Sequence, residues 1–298
     1  MQKGDTTPGA VLIAGPTASG KSRLGLELAR RLGGVVINAD SMQVYGELRI
    51  LSARPSPDDE AAAPHRLYGH VAAGERYSVG RWLVDVAALL GEARQRQLLP
   101  IFVGGTGLYF KALTEGLATI PPIAPAVREH WRWRGREEPP ESLHAILTMR
   151  DPEGAAAIRP SDRVRIVRAL EVIEGTGRPL VAWQRMAQAP APLVPPATAT
   201  RIVLDPDRPL LHKRVAARAD RMVAAGALDE VRALQRLGLD PALPAMKAIG
   251  VREFRDHFAG KLSLEEAVAA VKTETRRYAK RQATWFRNQM SDWRRHPV

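Results

Sequence analysis

Apolar positions fall into two patterns along the chain: short continuous runs, and stripes at helical spacing between them. Continuous runs are what strands buried on both faces produce, and the stripes are helices laid over them. Val11-Leu12-Ile13-Ala14 predicts a first strand. Leu24, Leu28 and Leu32 then recur at helical spacing until Gly33-Gly34 ends the helix. Val35-Val36-Ile37, β-branched throughout, predicts a second strand running to Asn38. Residues 52–76 are rich in Pro, Ala, Asp and Glu and read as a loop. Ser78 caps a helix with Trp82, Leu83, Val86, Leu89 and Leu90 on one side. Leu99-Pro100-Ile101-Phe102-Val103 is a third buried strand.

The pattern changes at Thr119-Ile120-Pro121-Pro122-Ile123-Ala124-Pro125, and from there to Thr200 only helical spacing recurs. Arg201-Ile202-Val203-Leu204 predicts a strand returning to the sheet. Helices follow over about 209–225 and 228–237, and a last one starts at the capping box Ser263-Leu264-Glu265-Glu266. Val268, Val271, Thr275, Tyr278 and Gln282 mark its packing face. The organisation expected is an α/β core of 1–120 completed by 201–298, with an all-helical insertion over 121–200.

One junction carries chemistry on its face. Gly15-Pro16-Thr17-Ala18-Ser19-Gly20-Lys21-Ser22 follows the first strand, opens the first helix and fits G-x-x-x-x-G-K-[ST], the phosphate-cradling P-loop. The glycines let the backbone approach an anion, and loop N–H groups with the helix start face its oxygens. Lys21 adds a mobile charge, and Ser22 can hold a magnesium ion shared with the phosphates. The motif argues for a di- or triphosphate without saying which. The second strand delivers Asp40-Ser41-Met42-Gln43-Val44-Tyr45 at its carboxyl end, where ligands of open α/β sheets sit. Asp40 can be a helix cap, a general base or a magnesium ligand. The third strand leads into Gly104-Gly105-Thr106-Gly107-Leu108-Tyr109-Phe110, a second tight loop with one hydroxyl, Thr106, able to donate to a leaving oxygen.

Composition adds a partner. The chain has 298 residues and a formal net charge of +12, which suits a polyanion. Basic residues gather at Arg276, Arg277, Lys280, Arg281 and Arg287, with Trp285, Phe286, Arg294 and Arg295 close by, as a phosphate-backbone surface would require. Aromatic and basic residues also interleave over His130-Trp131-Arg132-Trp133-Arg134-Gly135-Arg136. There is no cysteine, hence no disulfide and no thiolate metal site. Met1 to Gly9 lacks an apolar signal core and no apolar run reaches membrane-spanning length, so a cytoplasmic protein is expected.

Taken together, Gly15 to Ser22, Asp40 to Tyr45, Gly104 to Phe110, Arg165 to Val172, Ala248-Ile249-Gly250 and Arg276 to Arg287 resemble the tRNA dimethylallyltransferases in order and over nearly the whole chain. The resemblance implies a P-loop NTPase-like core with a helical insertion that grips the anticodon stem-loop of tRNA. It implies transfer of a dimethylallyl group from dimethylallyl pyrophosphate to the exocyclic amine of the adenosine 3′ of the anticodon, in tRNAs reading codons that begin with U. Magnesium would be the cofactor, with Ser22 as its ligand. Asp40 and Thr106 would be catalytic, Asp40 taking the amine proton and Thr106 bonding the bridging oxygen. Pyrophosphate would lie on Gly15, Pro16, Thr17, Ala18, Ser19, Gly20, Lys21 and Ser22 with Arg214 or Arg218. tRNA contacts would come from Asp40, Ser41, Met42, Gln43, Thr106, Arg128, Val164, Arg165, Ile166, Val167, Arg168, Arg276, Arg277, Lys280 and Arg281. The enzyme would act as a monomer. Val251 stands where the family often has a tyrosine, and without cysteine the eukaryotic zinc finger has no counterpart. Without the resemblance, a small-molecule kinase or an RNA-binding protein with a vestigial P-loop would satisfy the motif and the charge.

Overall fold

The computed structural model of the chain describes residues 9–186 and 191–298. The polar start before Gly9 and the first two residues of the Ala189–Pro196 stretch lie outside them. In chain order the elements are β1 (Ala10–Ala14), α1 (Lys21–Leu32), β2 (Gly34–Asn38), α2 (Pro57–Ala62), β3 (His65–Arg66), α3 (Val79–Gln95), β4 (Leu99–Gly104) and α4 (Gly107–Glu115). Then come α5 (Pro125–Glu137), α6 (Pro140–Arg150), α7 (Pro152–Ala156), α8 (Arg163–Thr176) and α9 (Leu180–Met186). The chain closes with β5 (Ala199–Leu204), α10 (Arg208–Ala224), α11 (Ala227–Arg236), α12 (Val251–Phe258), α13 (Leu264–Gln289) and β6 (Arg294–His296). Two compact units result: 1–114 with 193–298, and 115–192.

In the first unit six strands form one sheet in the order β3-β2-β4-β1-β5-β6, and every pairing is parallel. Successive side chains alternate faces. Ala10, Leu12 and Ala14 of β1 pack with Trp82, Val86, Tyr109, Phe110 and Phe286 on one side. Val11 and Ile13 pack with Ala29 and Val103 on the other. Of the apolar stripe expected of α1, Leu24 and Leu28 pack against this core half-buried and Leu32 is exposed, while the most buried positions are Lys21, Gly25 and Ala29. Small residues bring this helix onto the sheet, and a Cβ at Gly25 would lie 2.5 Å from Val103 Cγ2. A second core gathers Val44, Tyr45, Leu48 and Leu51 with Ala219, Val231, Val251, Phe254 and Val271 of α10–α13. Val251 is therefore core, fully buried.

Two expectations for this unit change. The 52–76 stretch holds α2, opened by a Ser56–Asp59 capping box, and the short strand β3. Arg294 and Arg295 lie in β6, where Val203 pairs with Arg295 and the Arg295 Nη2 donates to the Phe286 and Met290 carbonyls. Phe286 is likewise core, at 1% exposure. The part of Arg295 is not visible in the local pattern, because β6 exists only by pairing with a strand ninety residues earlier; Arg294 stays exposed, and Phe286 falls one helical turn after Gln282 on the packing face of α13. No helix among the described residues is long and apolar enough to cross a membrane.

Beyond the carboxyl ends of β2 and β4 the chains run very close. A Cβ on Gly104 would sit 2.0 Å from the Ala39 carbonyl oxygen, a main-chain atom that cannot swing aside. Gly104→Ala should therefore cost about 3 kcal/mol by overpacking. Its melting temperature should drop by roughly 10 °C for a core of this size. An unchanged melting curve would contradict the close approach.

Every regular element among the described residues of the second unit is a helix. Trp131, Leu143, Leu147, Ala155, Ile166, Ala169 and Leu170 form its core. Asp162 caps α8 by accepting from the Arg165 N–H, and Gly177, at φ 69°, ends it. Glu171 is buried at 4% exposure and answers two guanidinium groups, Arg132 at 3.1 Å and Arg168 at 3.3 Å.

Candidate active site

The loop after β1 is shaped for an anion before any is present. Gly20 at φ 95° and Ala18 at φ 63° both take the left-handed conformation, and the Ser19 N–H donates to the Pro16 carbonyl at 3.2 Å. Ser19 is fully buried, yet its Oγ has no hydrogen-bond partner. A buried hydroxyl left orphaned costs about 1–3 kcal/mol, so the loop is arranged for something not of the chain itself. The Lys21 Nζ donates to the Pro16 carbonyl at 3.3 Å.

Lys21 is 8% exposed, and burial lowers its ammonium pKa to about 8; nearby Asp40 opposes the shift and Arg218 adds to it. An anion on the loop favours the charged form. The kcat/KM for the anionic substrate should therefore hold below about pH 8 and fall as pH rises above it, by up to tenfold per unit. Its pH profile reads this out; a flat profile from pH 7 to 10 would contradict the burial.

Both candidate arginines of α10 reach this loop. Arg214 Nη1 donates to the Ser19 carbonyl at 3.4 Å, at the edge of bonding distance. Arg218 Nη1 donates to the Thr17 hydroxyl at 2.9 Å, and its Nη2 to the Ser52 carbonyl at 3.3 Å. Burial lowers Arg218 from the usual guanidinium value and Asp40 counters it, but a guanidinium keeps its charge.

At the end of β2, Asn38 organises the turn that presents Asp40. Asn38 is completely buried. Its Nδ2 donates to the Asp40 and Leu67 carbonyls, each at 2.9 Å, and its Oδ1 accepts from the Asp40 N–H at 2.8 Å. Asp40 Oδ1 then accepts from the Met42 N–H at 3.0 Å, which fixes the carboxyl. In the sequence Asn38 ends an apolar run with a polar residue, and that is the one local signal of its role. Thr106, at the end of β4, meets this turn: its Oγ1 accepts from the Ser41 N–H at 2.9 Å and donates to Ser41 Oγ at 3.2 Å.

Thr17, Asp40, Ser41 and Arg218 among these residues line one cavity of about 280 Å³. Thr17, Asp40, Ser41, Arg218, Lys247 and Arg281 form its polar wall, and Met42, Leu51, Met222, Ile249 and Val271 its apolar one. Tyr278 also lines it, its phenol pushed up by burial and by the Asp40 charge. Lys21, Ser22 and Thr106 are not among the lining residues, though Thr106 touches Ser41, which is. Gln282, read as a packing residue, joins the two loops: it accepts from the Thr17 N–H and donates to the Gly105 carbonyl, each at 2.9 Å. Trp285 packs on the same loop, a Cβ at Gly107 lying 2.0 Å from its ring.

The expected tRNA contacts separate into those whose side chains reach the surface and those whose side chains do not. Arg276, Arg277, Lys280 and Arg281 are exposed along α13. In the helical unit Val164 and Arg165 are exposed and Arg168 half-buried, beside a cavity of about 340 Å³ that also takes in Asp151, Ile158, Leu180 and Gln184. Arg128 is half-buried, with its Nε unpartnered. Three residues do not face outward. Ile166 is fully buried, Val167 packs against the same core, and Gln43 spends its amide on the Ser52 and Ala53 carbonyls. Helical spacing put Ile166 and Val167 inside, and Gln43 is 8% exposed because its turn closes on 52–53.

The geometry agrees with what the chain is similar to. The IPP transferase family model matches residues 43–289, and the isopentenyl transferase model residues 8–70. The chain belongs to the IPP transferase family. A tRNA dimethylallyltransferase of Nitrobacter hamburgensis is 56% identical over 285 residues, covering 96% of this chain and 89% of the relative. One of Methylobacterium nodulans is 57% identical over 286 residues, covering 96% and 94%. Among solved structures, a tRNA isopentenylpyrophosphate transferase of Bacillus halodurans is 34% identical, with a TM-score of 0.68 over 97% of this chain and 89% of its own. A eukaryotic dimethylallyltransferase acting on tRNA is 27% identical, with a TM-score of 0.82 over 97% and 73%. The family member described here is thus a tRNA-modifying prenyltransferase with a P-loop NTPase-like core, and the kinase alternative falls away.

Proposed function

We propose that the chain transfers a dimethylallyl group from dimethylallyl pyrophosphate to the exocyclic amine of the adenosine 3′-adjacent to the anticodon, in tRNAs reading codons that begin with U. The observation that carries this is the single cavity in which the Asp40 carboxylate, the P-loop residue Thr17 with the Arg218 guanidinium bonded to it, and an apolar wall meet. The prenyl tail lies on Met42, Leu51, Met222 and Ile249. The diphosphate lies on the loop amides, Ser19 Oγ, Lys21 and Arg218. The amine nitrogen bonds to the prenyl C1 as the C1–O bond breaks. The amine proton passes to Asp40, and pyrophosphate leaves with the bond's electrons. Thr106 turns its hydroxyl proton from Ser41 to the bridging oxygen. Charge grows on that oxygen, so donors already aimed there supply most of the rate.

The residues suit magnesium of a particular kind. No group of three or more His, Cys, Asp or Glu side chains among the described residues forms a cage. Ser22, exposed in the first turn of α1, offers one oxygen. That suits an ion held mostly by phosphate and water, as this cation prefers. Bound there, magnesium would supply neutralisation of the leaving group's charge.

A base must leave its stack to reach such a cavity, and anticodon loops offer bases that can be splayed out. Arg276, Arg277, Lys280 and Arg281 on α13, and Arg128, Val164, Arg165 and Arg168 of the helical unit, serve the backbone of the anticodon stem-loop in this reading. The enzyme acts as a monomer in the cytoplasm.

The test is incubation with magnesium, dimethylallyl pyrophosphate and unmodified tRNA, followed by nucleoside mass spectrometry. One prenylated adenosine beside the anticodon is expected. No prenylated nucleoside from a folded, tRNA-binding preparation would overturn the reading. Within it, Thr106→Val should lower kcat about a hundredfold with the donor KM little changed, as loss of one transition-state donor does. An unchanged kcat would remove Thr106 from the mechanism.

A further inference from the structure

The register of β1 on β4 runs to Ala14 opposite Gly104, the last rung of that pair. Past it the two strands become the loops that carry the chemistry. The next link between them is a side chain. Gln282 of α13 is 5% exposed, takes the Thr17 N–H on its Oε1 and gives its Nε2 proton to the Gly105 carbonyl. Its orientation is fixed by its partners, since a main-chain N–H only donates and a carbonyl only accepts. The fit is tight: a Cβ on Gly105 would lie 2.1 Å from Gln282 Nε2.

Each partner is one step from a working group. Thr17 holds Arg218 through its hydroxyl. Gly105 precedes Thr106, which bonds Ser41 through its side chain and Ala39 through its N–H, on either side of Asp40. Gln282 also follows Arg281 directly and lies one helical turn from Tyr278, both of which line the cavity. Its neighbours Arg277 and Lys280 are exposed on the basic face of the same helix.

We infer that Gln282 is a positioning residue: it acts as a surrogate rung between the diphosphate loop and the loop of Thr106, and holds leaving group and base side in register for prenyl transfer. A glutamine serving only the core would bond within its own helix or to the core around it. This one bonds the main chain of both reactive loops and touches no reacting atom. The inference rests on the reaction proposed above. Misplacing reacting groups by about 1 Å can cost a hundredfold in rate.

Gln282→Met keeps length and volume and removes both hydrogen bonds. We expect kcat to fall about a hundredfold while KM for tRNA and for dimethylallyl pyrophosphate each stay within about threefold. A kcat within threefold of wild type, or a loss carried by KM alone, overturns the role. Gln282→Glu gives a second reading should the methionine variant not fold. Glutamate still accepts from the Thr17 N–H, but it can donate to the Gly105 carbonyl only when protonated. The ratio of its kcat to that of wild type should therefore rise as pH falls. A ratio flat with pH, or falling, overturns the role. Wild-type enzyme run alongside separates the two ideas. No wild-type product sinks the reaction and this role together, whereas wild-type product with an undiminished Gln282→Met sinks the role alone.

Discussion

Asp40→Asn should lower kcat by about a thousandfold or more while leaving the melting temperature within a few degrees of wild type. General-base catalysis by a placed side chain is typically worth a hundred- to ten-thousand-fold. The substitution isolates that term. Asparagine keeps an Oδ1 to accept the Met42 N–H, so the turn set by Asn38 survives. What goes is the negative charge and the capacity to take a proton. A second consequence follows from the charges that share the cavity. Asp40 is the group that holds the Lys21 pKa up against burial. Removing it should drop Lys21 below 8, so the pH above which kcat/KM for the donor falls moves down. Steady-state kinetics across pH measure both effects. A variant with wild-type kcat would leave the carboxylate with only a structural task.

Lys21→Met should lower kcat/KM for dimethylallyl pyrophosphate by about a thousandfold, with most of the loss in kcat. The reason lies in when the charge is needed. The diphosphate is anionic in the ground state, but the bridging oxygen gains its charge only as the C1–O bond breaks. A cation placed there stabilises the transition state more than the bound donor, and only the difference accelerates the step. Methionine fills the buried channel of the lysine stem, which is 8% exposed, without creating a hole. Arg218 keeps one charge on the loop, so donor binding should weaken less than turnover. If kcat held and only KM rose, Lys21 would be a binding residue and the leaving-group argument would need another cation.

What the sequence made legible was local. The P-loop stands in eight consecutive residues between a strand and a helix, and its anion-directed geometry follows from Gly20 and the chain direction. Asp40 and Thr106 each close an apolar run, and strand ends in a parallel sheet converge on one edge. The Ser263 capping box likewise announced the start of α13. The rest depended on contacts distant in sequence. Gln282 reaches Thr17 across 265 positions, and nothing in the spacing of α13 distinguishes a glutamine that packs from one that bridges. The strand β6 is three residues, two of them arginine, and is a strand only because β5 offers a free edge. Ile166 shows the opposite failing: its place in a motif suggested contact with RNA, whereas its helical phase, readable from Leu170 and Ile173, put it in the core. Where motif and periodicity disagree about a side chain, periodicity decides where it points.

The central claim is that one cavity brings the diphosphate, the Asp40 carboxylate and an extruded adenine together. A crystal structure of the chain with magnesium, a non-reactive dimethylallyl diphosphate analogue and an anticodon stem-loop tests it most directly. The account predicts phosphate oxygens on the Gly15–Ser22 loop, including one on Ser19 Oγ. It places the adenine amine within hydrogen-bond reach of Asp40 and in line with the prenyl carbon. An adenine bound away from Asp40, or a diphosphate that leaves the loop vacant, would contradict it.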